Sequence, residues 1–295
     1  MSIYRNIKYL LTHPIGRKNK LKSLSNWLKW QVSQRILKRP IMMPFMGDSL
    51  FLVSKGMTGA TGNIYSGLHE FEEMAFLLHF LNKDDVFFDV GANVGSYSIL
   101  ASKVIGATSC SFEPSPSTFK HLENNIFLNR IQNKASLFNK GVGAEKGSIQ
   151  FSINQDTINH IVLDDKEESI EVEITTLDQH SIEQNLIPNL IKIDVEGFET
   201  EVIRGASSTL NNKQLQAVIM ELNGSGSRYG FDEDAIHKKM LDYGFKAYCY
   251  KPFDRKLVLR EDRSFHGNTI YINQLELVQK RIKSASYFEA LGVQF

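Results

Sequence analysis

The chain has 295 residues, 42% of them hydrophobic and 23% charged, with a formal net charge of +1, a balance that points to neither a disordered chain nor a membrane protein. Its two cysteines, Cys110 and Cys249, each lie in an apolar run, which excludes a disulfide framework and a cysteine zinc site and fits a reducing cytoplasm. No stretch approaches the roughly 18 apolar residues of a spanning helix and the N-terminus lacks the apolar core of a secretion signal, so a cytoplasmic location is expected.

Charge is segregated along the chain. Residues 1–47 hold ten Lys or Arg and no Asp or Glu, leaving 24 basic against 33 acidic residues for the remainder. Within this basic extension Ile7, Leu10, Leu11, Leu21, Leu24, Trp27, Leu28, Val32, Ile36 and Leu37 are spaced for helical stripes, broken at Pro14-Ile-Gly16. Two readings stand side by side: a helical cap packed on the main domain, or a basic amphipathic surface making peripheral contact with an anionic membrane. A nucleic-acid partner is not expected.

Residues 48–82 read as a hairpin or lid followed by a lead-in helix. Leu50-Phe-Leu-Val53 is a short strand, Gly56, Gly59, Gly62 and Gly67 mark a β-like, turn-rich stretch, and His69 to Leu81 carries one apolar face. From Val86 onward apolar β-rich runs alternate with helical patterns: Val86–Val90, Thr108–Phe112, Ser136–Phe138, Leu190–Ile193, Ala217–Leu222, Lys246–Tyr250 and Thr269–Ile272. That alternation over 83–275 predicts an α/β fold with a mainly parallel, seven-stranded, Rossmann-like sheet covered by helices on both faces. A β excursion is expected between Gly147 and Ile174, and a tail helix within 276–295.

The strand Val86-Phe-Phe-Asp-Val90 runs into Gly91-Ala-Asn-Val-Gly95 and then a helix. Glycines at such a turn let backbone approach a ligand. A dinucleotide fingerprint would read Gly-x-Gly-x-x-Gly with a pyrophosphate at the helix start; Asp89 would repel that group and suits a cofactor bearing a positive amino group and sulfonium. Glu113, at the end of the second strand and 18 residues after Gly95, can accept bonds from both ribose hydroxyls.

These residues resemble the FkbM family of methyltransferases over roughly residues 60 to 275. The resemblance rests on Phe88-Asp-Val-Gly-Ala-Asn-Val-Gly95, Phe112-Glu-Pro114, Asn124 with Asn125, Thr176-Leu-Asp178 and Ile191-Lys-Ile-Asp-Val-Glu-Gly-Phe-Glu199, with His13-Pro-Ile-Gly-Arg17 similar to leaders of some bacterial members. It implies a class I methyltransferase fold, S-adenosylmethionine as cofactor, and methyl transfer to an oxygen of a sugar, glycan or polyketide. Carried across residue by residue, Asp89, Gly91, Asn93 and Gly95 match the methionine-side loop and Glu113 the ribose ligand, while Val142 in Asn139-Lys-Gly-Val-Gly143 would contact the adenine edge.

Methyl transfer to a hydroxyl needs alignment and removal of a proton. Asp194 and Glu196, at the tip of the fourth strand, are candidates for a general base or for a divalent metal site. Glu221 after four apolar residues is a third carboxylate, and His160 on the excursion loop a further base. Glu199 and Glu201 fall in the first turn of the next helix and read as dipole complement. An NAD-binding enzyme and a non-catalytic nucleoside-binding module are the competing readings.

Overall fold

The computed structural model describes residues 3–37, 39–54, 57–152, 169–265 and 267–295. The chain opens with α1 (Ile3–Thr12), α2 (Pro14–Lys18) and α3 (Lys20–Leu37), then a hairpin of β1 (Ile41–Pro44) and β2 (Leu50–Val53), followed by α4 (Thr58–Ser66) and α5 (Phe71–Phe80). The main domain continues with β3 (Val86–Val90), α6 (Ser96–Ile99, running on as a π-helix through Ile105), β4 (Thr108–Phe112), α7 (Pro116–Leu128) and β5 (Ala135–Phe138). The excursion is β6 (Gly141–Val142), β7 (Gly147–Ser152) and β8 (Ser169–Thr175), and it is followed by α8 (Leu177–Gln184), β9 (Leu190–Ile193), α9 (Glu199–Arg204), α10 (Ser207–Asn211) and β10 (Ala217–Glu221). The chain closes with α11 (Glu233–Asp242), β11 (Lys246–Lys251), β12 (Lys256–Leu259), β13 (Asn268–Ile272), α12 (Leu275–Ser284), β14 (Glu289–Ala290) and β15 (Val293–Gln294).

Among the described residues the large sheet has the order β12-β11-β13-β10-β9-β3-β4-β5. β5, β4, β3, β9 and β10 are mutually parallel, and β13 enters antiparallel between β10 and β11. The seven strands read from the sequence are all present, and β12 adds an eighth at the edge by hairpin pairing with β11.

Period-two alternation assigns side chains to the two faces. Phe87, Leu190 and Ile219 enter one core with α5 and α12, while Phe88, Ile191, Val218 and Met220 enter a second core with α9 and α11. Six of the eight strands run in one direction, so their carboxyl ends open on a single edge, the position at which open α/β sheets bind ligands.

Two elements differ from the sequence reading. The glycine-rich stretch read as β-like folds as α4, because burial of Ile64 and Tyr65 against the main domain outweighs the roughly 1 kcal/mol that each glycine costs a helix. The hairpin β1–β2 straddles the boundary placed between the basic extension and residue 48. At the C-terminus the tail helix is followed by a short hairpin that inserts Phe295 into the core beside Phe71 and His79.

The basic extension packs on the main domain. Leu10 and Trp30 are buried with Phe51 and Val53, each such side chain contributing about 1.5–3 kcal/mol. No helix among the described residues is long and apolar enough to cross a membrane.

Asn125 of α7 ties three segments together. Its Oδ1 accepts from the Leu52 N–H at 2.7 Å and its Nδ2 donates to the Val94 carbonyl at 2.9 Å, so one buried amide joins the hairpin to the turn after β3. Its neighbour one helical turn on, Asn129, exchanges two bonds with the Leu50 backbone. Asn125→Ala leaves a donor and an acceptor unpaired, and a loss of about 2–4 kcal/mol is expected, read as a lower denaturant midpoint with an unchanged slope.

Candidate active site

The cavity at the strand tips encloses about 360 Å³, at the small end of the roughly 300–1,000 Å³ typical of ligand pockets. Its floor is a row of charges crossing three neighbouring strands. Asp89 of β3 stands opposite Lys192 of β9 in the parallel register, and Glu221 ends β10 on the same face, two residues beyond Ile219. A lysine with 2% of its surface exposed needs counter-charge in a low-dielectric interior. Lys192 Nζ donates to Asp194 Oδ2 at 2.9 Å and lies 5.3 Å from the centre of the Tyr97 ring. Burial alone would weaken the ammonium, but Asp194, Glu70 and Glu221 hold its pKa above the ordinary lysine value.

The carboxylates around it divide according to their partners. Burial works against the Asp194 anion, yet Lys192 and a hydrogen bond from Glu221 keep its pKa below the usual range. Glu221 is pushed up to about 8, by burial first and then by the Asp194 charge. At rest near neutral pH Glu221 therefore carries the proton and donates it to Asp194. Glu196 has a left-handed backbone, φ 53°, and is raised to about 7 by burial and by Asp194.

The turn after β3 is shaped by close backbone packing. Gly91 has φ 82°, and a Cβ there would lie 1.8 Å from the Asp194 carbonyl oxygen; only glycine lets the tips of β3 and β9 approach this closely. The N–H groups of Gly91 and Ala92 both donate to the Phe112 carbonyl, while Asn93 (φ 50°) and Gly95 (φ 94°) complete the turn into α6. Glu113 is locked beneath it: Oε2 accepts from the Asn93 N–H at 3.0 Å and Oε1 from the Ser115 N–H at 2.9 Å. Those bonds fix the carboxylate while leaving lone pairs for a ligand. Asn139 Nδ2 donates to the Glu113 and Pro114 carbonyls and so holds the loop that carries it.

Asp89 is 1% exposed and accepts the Ser98 hydroxyl at 2.6 Å. Burial raises Asp89 to about 6 and Glu113 to about 7. The far wall is apolar, built from Val142 with Ile149, Phe151, Val172 and Ile174 of the three-stranded excursion.

The cavity thus brings Asp89, Gly91, Asn93, Glu113, Val142, Asp194, Glu196 and Glu221 together along its lining; Gly95 sits just behind, at the start of α6. His160 lies outside the described residues. The lining holds Glu70, Asp89, Glu113, Asp194, Glu196 and Glu221 against Lys140 and Lys192, an anionic bias suited to a cationic ligand and hostile to a pyrophosphate. Two buried carboxylates at adjacent strand tips, one beside the turn and one fixed by backbone N–H groups, fit a nucleoside with a positive tail. Among the described residues no group of three or more His, Cys, Asp or Glu is arranged to hold a metal ion, and the cation beside Asp194 is Lys192.

Residues 89–247 match the family model described as the methyltransferase FkbM domain. The chain belongs to the FkbM methyltransferase family. It is 30% identical over 156 residues to the hexuronic acid methyltransferase AglP of Haloferax volcanii, covering 52% of this chain and 62% of that relative. It is 24% identical to methyltransferase 1 of Beauveria bassiana, covering 60% of this chain and 80% of that protein. Among solved structures, a precorrin-6y C5,15-methyltransferase of Geobacter metallireducens matches 75% of this chain and 93% of its own, at 13% identity and TM-score 0.42.

Several residues of the FkbM pattern have structural roles. Thr176 caps α8 by accepting from the Gln179 N–H, and Asp178 accepts from the N–H groups of Ser208 and Thr209, capping α10. Glu199 turns back to accept from the N–H groups of Val195 and Gly197 and so braces the loop bearing Glu196. Sequence reasoning passed over Lys192, Tyr97 and Glu70. The available signal was Lys192 itself, a lone charge in an apolar strand at a position whose alternation places it on the Asp89 face.

Replacing Lys192 with methionine strands the buried Asp194 anion without its counter-charge. A destabilisation of about 3–5 kcal/mol is expected at pH 7.5. The penalty shrinks as the pH falls towards 5, because Asp194, no longer held ionised by Lys192, then takes a proton; urea titrations of the variant at both pH values test this.

Proposed function

We propose that this chain transfers the methyl group of S-adenosylmethionine to an oxygen of a sugar, with a uronic acid or uronic-acid-containing glycan as the leading acceptor class. The observation that carries the reading is the pair Asp89 and Glu113, buried at adjacent strand tips of one anionic cavity within the FkbM-matched region. The acceptor class follows the hexuronic acid methyltransferase of Haloferax volcanii.

In this reading Glu113 takes the ribose hydroxyls, the apolar wall at Val142 receives the adenine, and Asp89 faces the methionine end. When bound, the cofactor supplies an electrophilic methyl on a positive sulfur. The ionised Asp194 and the partly ionised Glu196 give this end of the lining a negative bias that attracts that positive sulfur, with Glu221 protonated and Lys192 limiting the net charge.

Calorimetric titration with S-adenosylmethionine, S-adenosylhomocysteine and NAD tests the reading. Saturable binding of the first two, weakened at least tenfold by Asp89→Ala and by Glu113→Ala, is the expected outcome. Binding of NAD alone overturns it, and binding without transfer to any sugar favours a non-catalytic nucleoside module.

The sign of the pH dependence is fixed by the same carboxyls. Asp89 and Glu113 bind protons in the free protein up to about pH 6 and 7, and a cation beside them favours the ionised form. Binding of S-adenosylmethionine should release protons and weaken as the pH falls from 8 to 6, with the uncharged sulfur of S-adenosylhomocysteine less affected. Titrations in buffers of differing ionisation enthalpy measure the protons released.

We further infer that α3 rests on an anionic membrane surface. Its Ser23 and Trp30 face the protein, while Leu21, Leu24, Leu28, Val32 and Ile36 form an exposed stripe on the opposite side, flanked by Lys22, Lys29 and Arg35 with no acidic residue in the helix. Apolar contact plus charge is the pattern of interfacial helices. Vesicles containing phosphatidylserine should retain the chain where pure phosphatidylcholine does not, and Leu21→Gln with Leu28→Gln should cut binding at least tenfold, since each leucine contributes about 1.5–3 kcal/mol on burial. Equal binding to both vesicle types, or to neither, contradicts the inference.

A further inference from the structure

His69 lies outside the region matched to the FkbM model yet lines the same cavity as Asp89, Lys192 and Glu221. Its surroundings determine which ring nitrogen carries the proton. Ser66 Oγ donates to the Gly62 carbonyl at 2.8 Å within α4, so it has no hydrogen left for Tyr9. Tyr9 Oη of α1 then donates to Ser66 Oγ at 3.2 Å, and burial pushes the Tyr9 phenol up to about 12, keeping that hydrogen in place. Tyr9 Oη also lies 3.3 Å from the His69 carbonyl, so two oxygens compete for its single hydrogen; with that hydrogen on an oxygen, the 2.6 Å contact between Tyr9 Oη and His69 Nδ1 has Nδ1–H as its donor. That leaves Nε2 with the free lone pair.

The ring is also held in orientation. A Cβ at Gly62 would lie 2.5 Å from Nδ1 and 3.0 Å from Cε1 of His69, so glycine there lets the Nδ1 edge turn onto α4 and directs the Nε2 edge away from it. The His69 N–H donates to Asn63 Oδ1 at 2.7 Å, and Asn63 Nδ2 donates to Ser96 Oγ at 3.1 Å. The backbone of His69 is thereby tied to the first residue of α6, directly after the cofactor turn. His69 keeps an exposed edge, while desolvation of the ring among its neighbours lowers the imidazole pKa, with Glu70 opposing.

We propose that His69 Nε2 is the general base that takes the proton from the acceptor hydroxyl, with Tyr9 of the N-terminal helix as the positioning residue that fixes its tautomer. The proposal rests on the methyl-transfer reading above. Neither Asp194, paired to Lys192, nor Glu221, which holds a proton at rest, is free to do this. As the hydroxyl oxygen bonds to the methyl carbon, its proton passes to Nε2. The carbon–sulfur bond breaks with its electron pair remaining on sulfur, and the imidazolium later gives its proton to solvent. The N-terminal segment thereby completes the catalytic centre.

The test uses the full chain loaded with S-adenosylhomocysteine and has two arms. Histidine side-chain ¹⁵N spectra, with His69 assigned by difference against His69→Gln, should show the Nδ1–H tautomer in wild type and a mixture in Tyr9→Phe. With glucuronic acid and methyl-labelled S-adenosylmethionine, His69→Gln should lower turnover about 10²–10⁴-fold with S-adenosylhomocysteine affinity unchanged. An Nε2–H tautomer in the loaded wild type, or His69→Gln turning over within threefold of wild type, overturns the proposal while leaving the cofactor reading intact. Failure of wild type to bind S-adenosylhomocysteine instead defeats the reading on which it rests.

Discussion

The site depends on one buried ammonium. Lys192 sits in the middle of the central strand with almost no solvent access, and a charge in that position persists only where opposite charge surrounds it. Asp194, Glu221 and Glu70 provide it from three separate elements, so the positions of β9, β10 and the start of α5 are coupled electrostatically as well as by packing. With the lysine in place, a cavity floor can hold several carboxylates at close range without all of them protonating. That is the condition for a pocket that attracts a cation yet remains folded.

The two ends of the cavity follow different physics. At the end beside β3 and β4 geometry comes from backbone: the left-handed turn at Gly91 and Asn93, and a Glu113 carboxylate gripped by two N–H groups. Rigid carboxylates of this kind recognise hydroxyls with little reorganisation. At the other end the walls are side chains brought from distant parts of the sequence, including Asn63, His69 and Glu70, with Tyr9 behind His69. The basic extension therefore serves two surfaces. One face of its helices packs inward and reaches the cavity through Tyr9, and the opposite face of α3 presents an apolar, cation-flanked stripe outward.

Much of the fold was legible locally. Alternating apolar runs separated by helical patterns imply a parallel sheet, and the turn from Asp89 to Gly95 with Glu113 at the next strand tip is readable as the place where the cavity lies. The glycine-rich stretch before α5 was misleading for a physical reason: local propensity disfavours a helix there, and the burial that stabilises α4 involves partners far along the chain. The Thr176 and Asp178 pattern shows the converse, a motif whose residues cap helices and brace the scaffold instead of meeting a ligand.

The sequence by itself determined the sheet, the turn and the identities of the carboxylates at the strand ends, because these follow from short-range periodicity and from residues adjacent in the chain. Only the tertiary structure decided how those carboxylates divide their protons. Asp194 stays below the usual carboxylate range because Lys192 lies 2.9 Å away, and Glu221 is pushed up to about 8 by burial and by the Asp194 charge. Likewise His69 is one ordinary histidine in the sequence; its neighbours Tyr9 and Gly62 engage its Nδ1 edge and set the orientation of the ring. Protonation state is a property of burial and of charges from other elements, and those distances exist only once the chain has folded.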